Sequence, residues 1–245
     1  MVTLCWAAKG GSGTTVVATA LALSSKRPSL LVDLDGEIPT VLGLPDPDRP
    51  GVIEWVASQA PPSHLTDLLI EISDTCWLLP CHNESRPISM SKTRQGQGQH
   101  LNGNATLLAT TTAAVSTSAG ERRWTELAQW LTEWAGGRGG EVTIDAGTGE
   151  PNTTLLDAAD RTLLVTRPCY LALRRATQSE VRPTGVVLVN EVGHSLAQRD
   201  IEHALRAPVV ATVSIDPAVS RAVDAGLLTN RLPRVIEREL RRAAA

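Results

Sequence analysis

Apolar positions in this chain come in short unbroken blocks rather than in strict alternation with polar ones. Val2-Thr3-Leu4-Cys5-Trp6-Ala7 is one block of strand length, and Leu30-Leu31-Val32-Asp33-Leu34-Asp35 is another that ends in two carboxylates. A strand covered on both faces has no solvent side for polar residues, so blocks of this kind predict a mainly parallel sheet between helices. Thr14 to Leu23 is alanine-rich and lacks glycine and proline, which predicts a helix soon after the first block. Farther on, Leu107-Leu108-Ala109 predicts a short strand. Leu127, Trp130, Leu131 and Trp134 recur at helical spacing within 122–135, predicting a helix whose tryptophans belong to a core. Between 82 and 104 the pattern dissolves into Ser, Gln, Asn and Gly, which reads as a flexible insertion. A basic amphipathic helix is expected over 233–243, with Pro233 in its first turn.

Alternating strand and helix signals over 245 residues predict one three-layer α/β/α domain spanning 1–245. The net charge of −3 supplies no global field that would demand nucleic acid as a partner. No apolar run reaches bilayer length, and the start lacks a basic region followed by a signal-peptide core, so a cytoplasmic location is expected. Cys5, Cys76, Cys81 and Cys169 are scattered, as reduced thiols are. Cys76, Cys81 and His82 lack a second pair of ligands, which argues against zinc.

The chemistry begins at Lys9-Gly10-Gly11-Ser12-Gly13-Thr14-Thr15, between the first strand and its helix. Glycines let consecutive N–H groups turn toward one anion, and the helix behind adds its positive end. Thr15 would offer a hydroxyl to a magnesium ion bridging phosphates. A full P-loop reads G-x-x-x-x-G-K-[ST]; here Ala8 stands for the first glycine and Thr14 for the lysine. The bland alternative is a tight glycine turn with no ligand. Asp33 and Asp35, one residue apart at a strand end, suit a magnesium-bound water and an attacking water, or simply a turn.

With these residues in view, the chain resembles the MinD/ParA group of deviant P-loop ATPases, of the SIMIBI class, whose loop reads K-G-G-x-G-K-[ST]. The resemblance places Lys9 at the signature position, from which it would reach the partner's nucleotide in an ATP-bridged homodimer. Thr14 replaces the second lysine, and this K-G-G-x-G-T-T form is similar to the CpaE/TadZ branch, associated with septum-site and pilus positioning. By the same resemblance Asp35 positions water. Glu141 to Gly149 is similar to the Walker B strand, with Asp145 standing behind the magnesium; an ordinary strand-to-loop Asp is the alternative. Ala159 to Thr166 resembles a further family strand, and the segment through Arg174 lies where the family's dimer face runs. Gly185 to Asn190 resembles the strand whose terminal amide reads adenine, since an amide both donates and accepts; a turn-forming Asn is the alternative. Ile215, Asp216 and Pro217 would flank the base.

The resemblance implies ATP/ADP and Mg2+ as ligands and two candidate surfaces. Like the terminal helix of MinD proteins, 233–243 could meet membrane, but its face lacks aromatics and carries Glu237 and Glu239, so packing on its own domain is expected. Like ParA proteins, the chain could meet DNA or the nucleoid, through Arg174, Arg175, Arg199, Arg206 and Arg221. Two departures stand out: the insertion falls where the family carries a strand and helices, and the glycine loop begins close to Met1, whereas the CpaE/TadZ branch commonly carries a receiver-like domain first. The expected function is an ATP-dependent dimerising switch that positions or partitions a cargo (septum, pilus or DNA) through slow hydrolysis of ATP to ADP and phosphate. The alternative is a nucleotide-binding scaffold with little or no hydrolysis, because Thr14 removes a cation from the phosphates. A P-loop ligase that activates a carboxylate is a third reading, weakened by the missing lysine.

Overall fold

A computed structural model of the chain describes residues 1–45, 47–82, 118–190, 196–229, 232 and 234–240. The insertion beyond His82, the strand expected at 107–109, and residues 233 and 241–243 of the terminal helix lie outside the described residues. Among the described residues eight strands form one sheet in the order β3-β4-β2-β5-β1-β6-β7-β8. They are β1 (Val2–Ala7), β2 (Ser29–Asp33), β3 (Ile70–Ser73), β4 (Cys76–Leu79), β5 (Glu141–Thr148), β6 (Arg161–Thr166), β7 (Gly185–Asn190) and β8 (Val209–Ser214). Every neighbouring pair runs parallel except β3 and β4, which form an antiparallel hairpin at one edge.

Successive residues along each strand feed opposite faces, and both faces are dry. Leu4 and Trp6 of β1, Val142 and Ile144 of β5, and Val186 and Leu188 of β7 join one core; Cys5, Leu31, Leu163, Val165, Val187 and Val189 join the other. That is why the strands read as apolar blocks without a polar period. The first core is covered by α5 (Ser118–Arg138) and α6 (Thr153–Ala158), with Trp124, Leu127, Leu131, Trp134 and Leu155 packed inward. The second is covered by α1 (Thr14–Leu23), whose Val17, Ala18 and Leu21 lie on the sheet. The architecture is therefore three-layer α/β/α with a mixed, mainly parallel sheet.

Five short or peripheral helices complete this frame: α2 (Ile38–Leu42), α3 (Val52–Ala57), α4 (His64–Asp67), α7 (Tyr170–Gln178) and α8 (Gln198–Leu205). Two more, α9 (Pro217–Asp224) and α10 (Arg234–Leu240), close the second face. Ile236 and Leu240 of α10 are buried in that core, so the terminal helix spends its apolar face on its own domain. Among the described residues, no helix is long and apolar enough to cross a membrane. β1 sits between β5 and β6, and the chain departs from it toward β2 on one side while β6 to β8 build out the other. In parallel sheets a reversal of this kind opens a crevice at the carboxyl ends of the strands, where ligands bind.

Candidate functional site

The glycine loop lies at that crevice. Gly11 (φ 75°) and Gly13 (φ 88°) adopt left-handed backbone conformations that L side chains rarely enter. An added Cβ at Gly11 would meet nothing within 4 Å, so backbone conformation, not crowding, requires the glycine there. The buried Ser12 hydroxyl donates to the Lys9 carbonyl at 2.7 Å and closes the loop on itself. Gly13 stands at the N-terminus of α1 without a side-chain cap, leaving the first N–H groups of a ten-residue helix facing the loop. Thr14, in place of a lysine, is buried. The Lys9 ammonium donates to the Gly10 carbonyl at 3.4 Å in an exposed hydrogen bond.

Beside the loop, adjacent strands bring Asp33 and Asp145 together as register partners, and neither has any exposed surface. Asp33 Oδ1 accepts from the N–H groups of Asp35 (3.1 Å) and Gly36 (2.7 Å), and Oδ2 from that of Ile38 (3.4 Å). The expected metal candidate thus spends its oxygens on shaping the segment that presents Asp35. Burial first, then the Asp145 charge, pushes the Asp33 carboxyl up to about 8. Burial also lifts Asp145 to about 7, restrained by hydrogen bonds from the Thr15 side chain and the Gly147 N–H. Asp145 Oδ1 accepts from Gly147 at 3.1 Å, while the buried Oδ2 has no hydrogen-bond partner.

That orphaned carboxylate oxygen, with a threonine hydroxyl on the same carboxylate, fits a hydrated magnesium ion. Hard cations take oxygen ligands and water, and a cation here would relieve two buried negative charges. Among the described residues no three His, Cys, Asp or Glu side chains converge on one point.

Asp35 reaches the carboxyl end of β5. A Cβ on Gly147 would fall 2.5 Å from the Asp35 Cγ, so only glycine at 147, itself left-handed at φ 66°, lets this carboxylate approach. The Gly149 N–H donates to the Ala7 carbonyl at 2.9 Å, and a Cβ on Gly10 would lie 3.8 Å from Thr148 Oγ1, so the end of β5 abuts the glycine loop. On the opposite flank Val189 of β7 approaches Gly13, its Cγ2 3.9 Å from a Cβ built there. Asn190 ends β7, exposed, and its carbonyl accepts from the Ile215 N–H at 3.0 Å. Asp216 Oδ1 accepts from the Ala218 N–H at 2.6 Å and caps α9, with Pro217 in the first turn, while Ile215 is exposed.

The structure therefore gathers Lys9, Gly10, Gly11, Ser12, Gly13, Thr14, Thr15, Asp33, Asp35 and Asp145 at one crevice, and sets Asn190, Ile215, Asp216 and Pro217 along the same sheet edge. The contact of Gly147 with Asp35 was not foreseen; the signal was the glycine two residues past Asp145. Glu150, whose Oε1 accepts from the Ser179 hydroxyl at 2.9 Å, also went unread and ties the loop after β5 to the end of α7.

The fold, with a glycine loop between a central strand and its helix, is shared with solved structures of ParA and MinD proteins. The chain is similar over 99% of its length to a ParA family ATPase from Chlorobium tepidum, covering 98% of that chain at 16% identity and a TM-score of 0.66. It is likewise similar to the MinD cell division protein of Aquifex aeolicus, with 17% identity, 99% and 96% of the two chains covered, and a TM-score of 0.69. A third likeness is to the septum site-determining protein MinD of Pyrococcus horikoshii complexed with Mg-ADP, at 15% identity, 99% and 93% coverage and a TM-score of 0.66. At these identities the likeness is one of fold. No protein-family model and no curated protein matches the chain.

Proposed function

We propose that this chain is an ATP-dependent dimerising switch of the ParA/MinD type, a slow ATPase that positions or partitions a macromolecular cargo. The observation that carries this reading is the buried Asp145 carboxylate beside Thr15, one oxygen without a partner, at the mouth of a left-handed glycine loop. Magnesium, when bound with ATP, would neutralise phosphate charge and offset the two buried carboxylates. The backbone N–H groups of 10–15 and the start of α1 would hold phosphate oxygens, and the Thr15 hydroxyl and Asp145 would hold the cation's side of the site. Asp33 fixes the turn at Asp35 and Gly36, and Asp35, leaning on Gly147, would orient the attacking water. Lys9, its ammonium in an exposed hydrogen bond beside the loop, would serve a second subunit's phosphates. The CpaE/TadZ-like loop supports a septum or pilus cargo, with DNA as the other candidate, in a protein of the cytoplasm. Membrane is the weaker surface, because α10 buries Ile236 and Leu240 at home.

One observation favours a second reading, a nucleotide-binding scaffold with little hydrolysis. Thr14 is buried where a lysine would point its ammonium at the phosphates, and the loss of one such contact slows phosphoryl transfer about 100-fold or more. Molecular mass and bound nucleotide, measured with ATP, ADP and no nucleotide, test both readings. A dimer with ATP alone that decays as ADP appears supports the switch, and a stable ATP dimer supports the scaffold. A monomer without bound nucleotide in all three conditions refutes both. Lys9→Ala should abolish the ATP dimer; Thr14→Lys should raise turnover about 100-fold if the missing ammonium limits it.

A further inference from the structure

Glu239, 25 residues away in sequence from the strand end it touches, has no part in the chemistry above. Ser214 is the last residue of β8 and the register partner of Asn190. The next N–H, that of Ile215, turns inward to the Asn190 carbonyl, so the Ser214 N–H points out of the sheet, where among the described residues no further strand lies. Glu239 meets it there: Oε2 accepts from the Ser214 N–H at 2.9 Å and Oε1 from the Ser214 hydroxyl at 3.0 Å. Such a two-point grip by a carboxylate is stronger than a neutral contact and fixes direction as well as distance.

The grip is anchored on both sides. Ile236 and Leu240, which flank Glu239 on α10, are buried in the second core, and α10 packs against both β8 and α1. α1 is the helix that opens at the glycine loop, so one short helix braces the phosphate end and the strand beside the base end. The segment 214–217 is thereby held from three directions: inward by Asn190, outward by Glu239, and forward by the Asp216 cap on α9.

We infer that Glu239 is a positioning residue for the purine end of the nucleotide site: it holds the end of β8 so that Asn190 and Ile215 keep one spacing for the base. The inference rests on the proposed reading of Asn190 and 215–217 as the base site. Phosphate affinity comes from the glycine loop and has no need of Glu239. Loss of this carboxylate therefore lowers the share of affinity contributed by the base and leaves the share contributed by phosphate.

The test is calorimetric titration of the full chain and its variants with magnesium-ATP and, separately, magnesium-tripolyphosphate. Glu239→Ala should weaken ATP about five- to tenfold, the scale of lost charge-assisted hydrogen bonds at a half-exposed site, with tripolyphosphate unchanged. Glu239→Gln, which keeps an acceptor for the Ser214 N–H, should recover most of the ATP affinity. Ser214→Ala removes only the hydroxyl contact and should cost ATP about threefold, a milder variant should Glu239→Ala unfold α10. Unchanged ATP affinity in Glu239→Ala overturns the inference, and so does equal weakening of both probes, which marks general loosening. A wild-type chain that binds ATP no better than tripolyphosphate overturns it by removing the base site. Binding of neither probe overturns the proposed function with it.

Discussion

Asp145→Asn is expected to stabilise the nucleotide-free protein most at pH 8, by roughly a third as much at pH 5, and little below pH 4. Folding lifts Asp145 from 3.8 to about 7, with burial the largest cause. Between those limits the folded protein holds a proton that the unfolded chain has released, so stability falls as pH rises through 7. A shift of that size amounts to about 4 kcal/mol once the carboxylate is fully ionised. Asp33, lifted to about 8 with the Asp145 charge as second cause, eases as well when that charge is gone. The Asn side-chain oxygen can still accept from the Gly147 N–H, so local geometry is preserved. For a chain of this length the gain corresponds to a melting temperature about 10 °C higher at pH 8. Thermal unfolding followed by circular dichroism from pH 5 to pH 9 measures it. Magnesium should narrow the gap by stabilising the wild type alone. Equal pH slopes for the two proteins would refute the assignment of buried charge to this pair.

Gly43→Ala should cost about 3 kcal/mol in urea unfolding, because a Cβ there falls 2.1 Å from the Gly226 carbonyl oxygen and Gly43 is left-handed at φ 70°; an unchanged midpoint would show that the turns separate freely. Arg123→Ala should cost a similar amount, about 3 kcal/mol. The buried guanidinium donates to the carbonyls of Trp55 (3.1 Å) and Ala60 (2.8 Å), pairs with Glu126, and lies 3.7 Å from the centre of the Trp55 ring. A shift in tryptophan emission should accompany the lowered midpoint, and wild-type stability would sink this account.

Local signals carried much of the fold. β7 begins at a glycine and ends at an amide, and α1 begins directly after a glycine, boundaries set by neighbouring residues. α5 runs longer than its apolar spacing over 122–135, because Ser118 to Glu121 and Gly136 to Arg138 extend it without adding buried apolar side chains. The hairpin of β3 and β4 escaped notice. Its strands have four residues each: β4 pairs with β2 across more than forty positions of chain, and β3 pairs only with β4. In the site, the glycine loop and each carboxylate were readable as residue types. The division of labour between Asp33 and Asp145 was not, since it depends on which oxygen meets which backbone N–H across neighbouring strands. Gly147 and Glu239 escaped for the same reason: their partners are chosen by strand register and helix docking.

The outer edge of β8 is guarded at both ends by carboxylates. Glu202 accepts from the Val209 N–H at 3.0 Å, and the Gln198 amide, followed by that N–H, holds its carboxylate below the usual range. Glu239 guards the other end. An arriving strand would have to evict two negative groups before its ladder could form, so sheets cannot readily fuse through this edge. The ATP-bridged pair proposed above would then meet on this side through loops and helices, contacts that can be released without unzipping backbone from backbone.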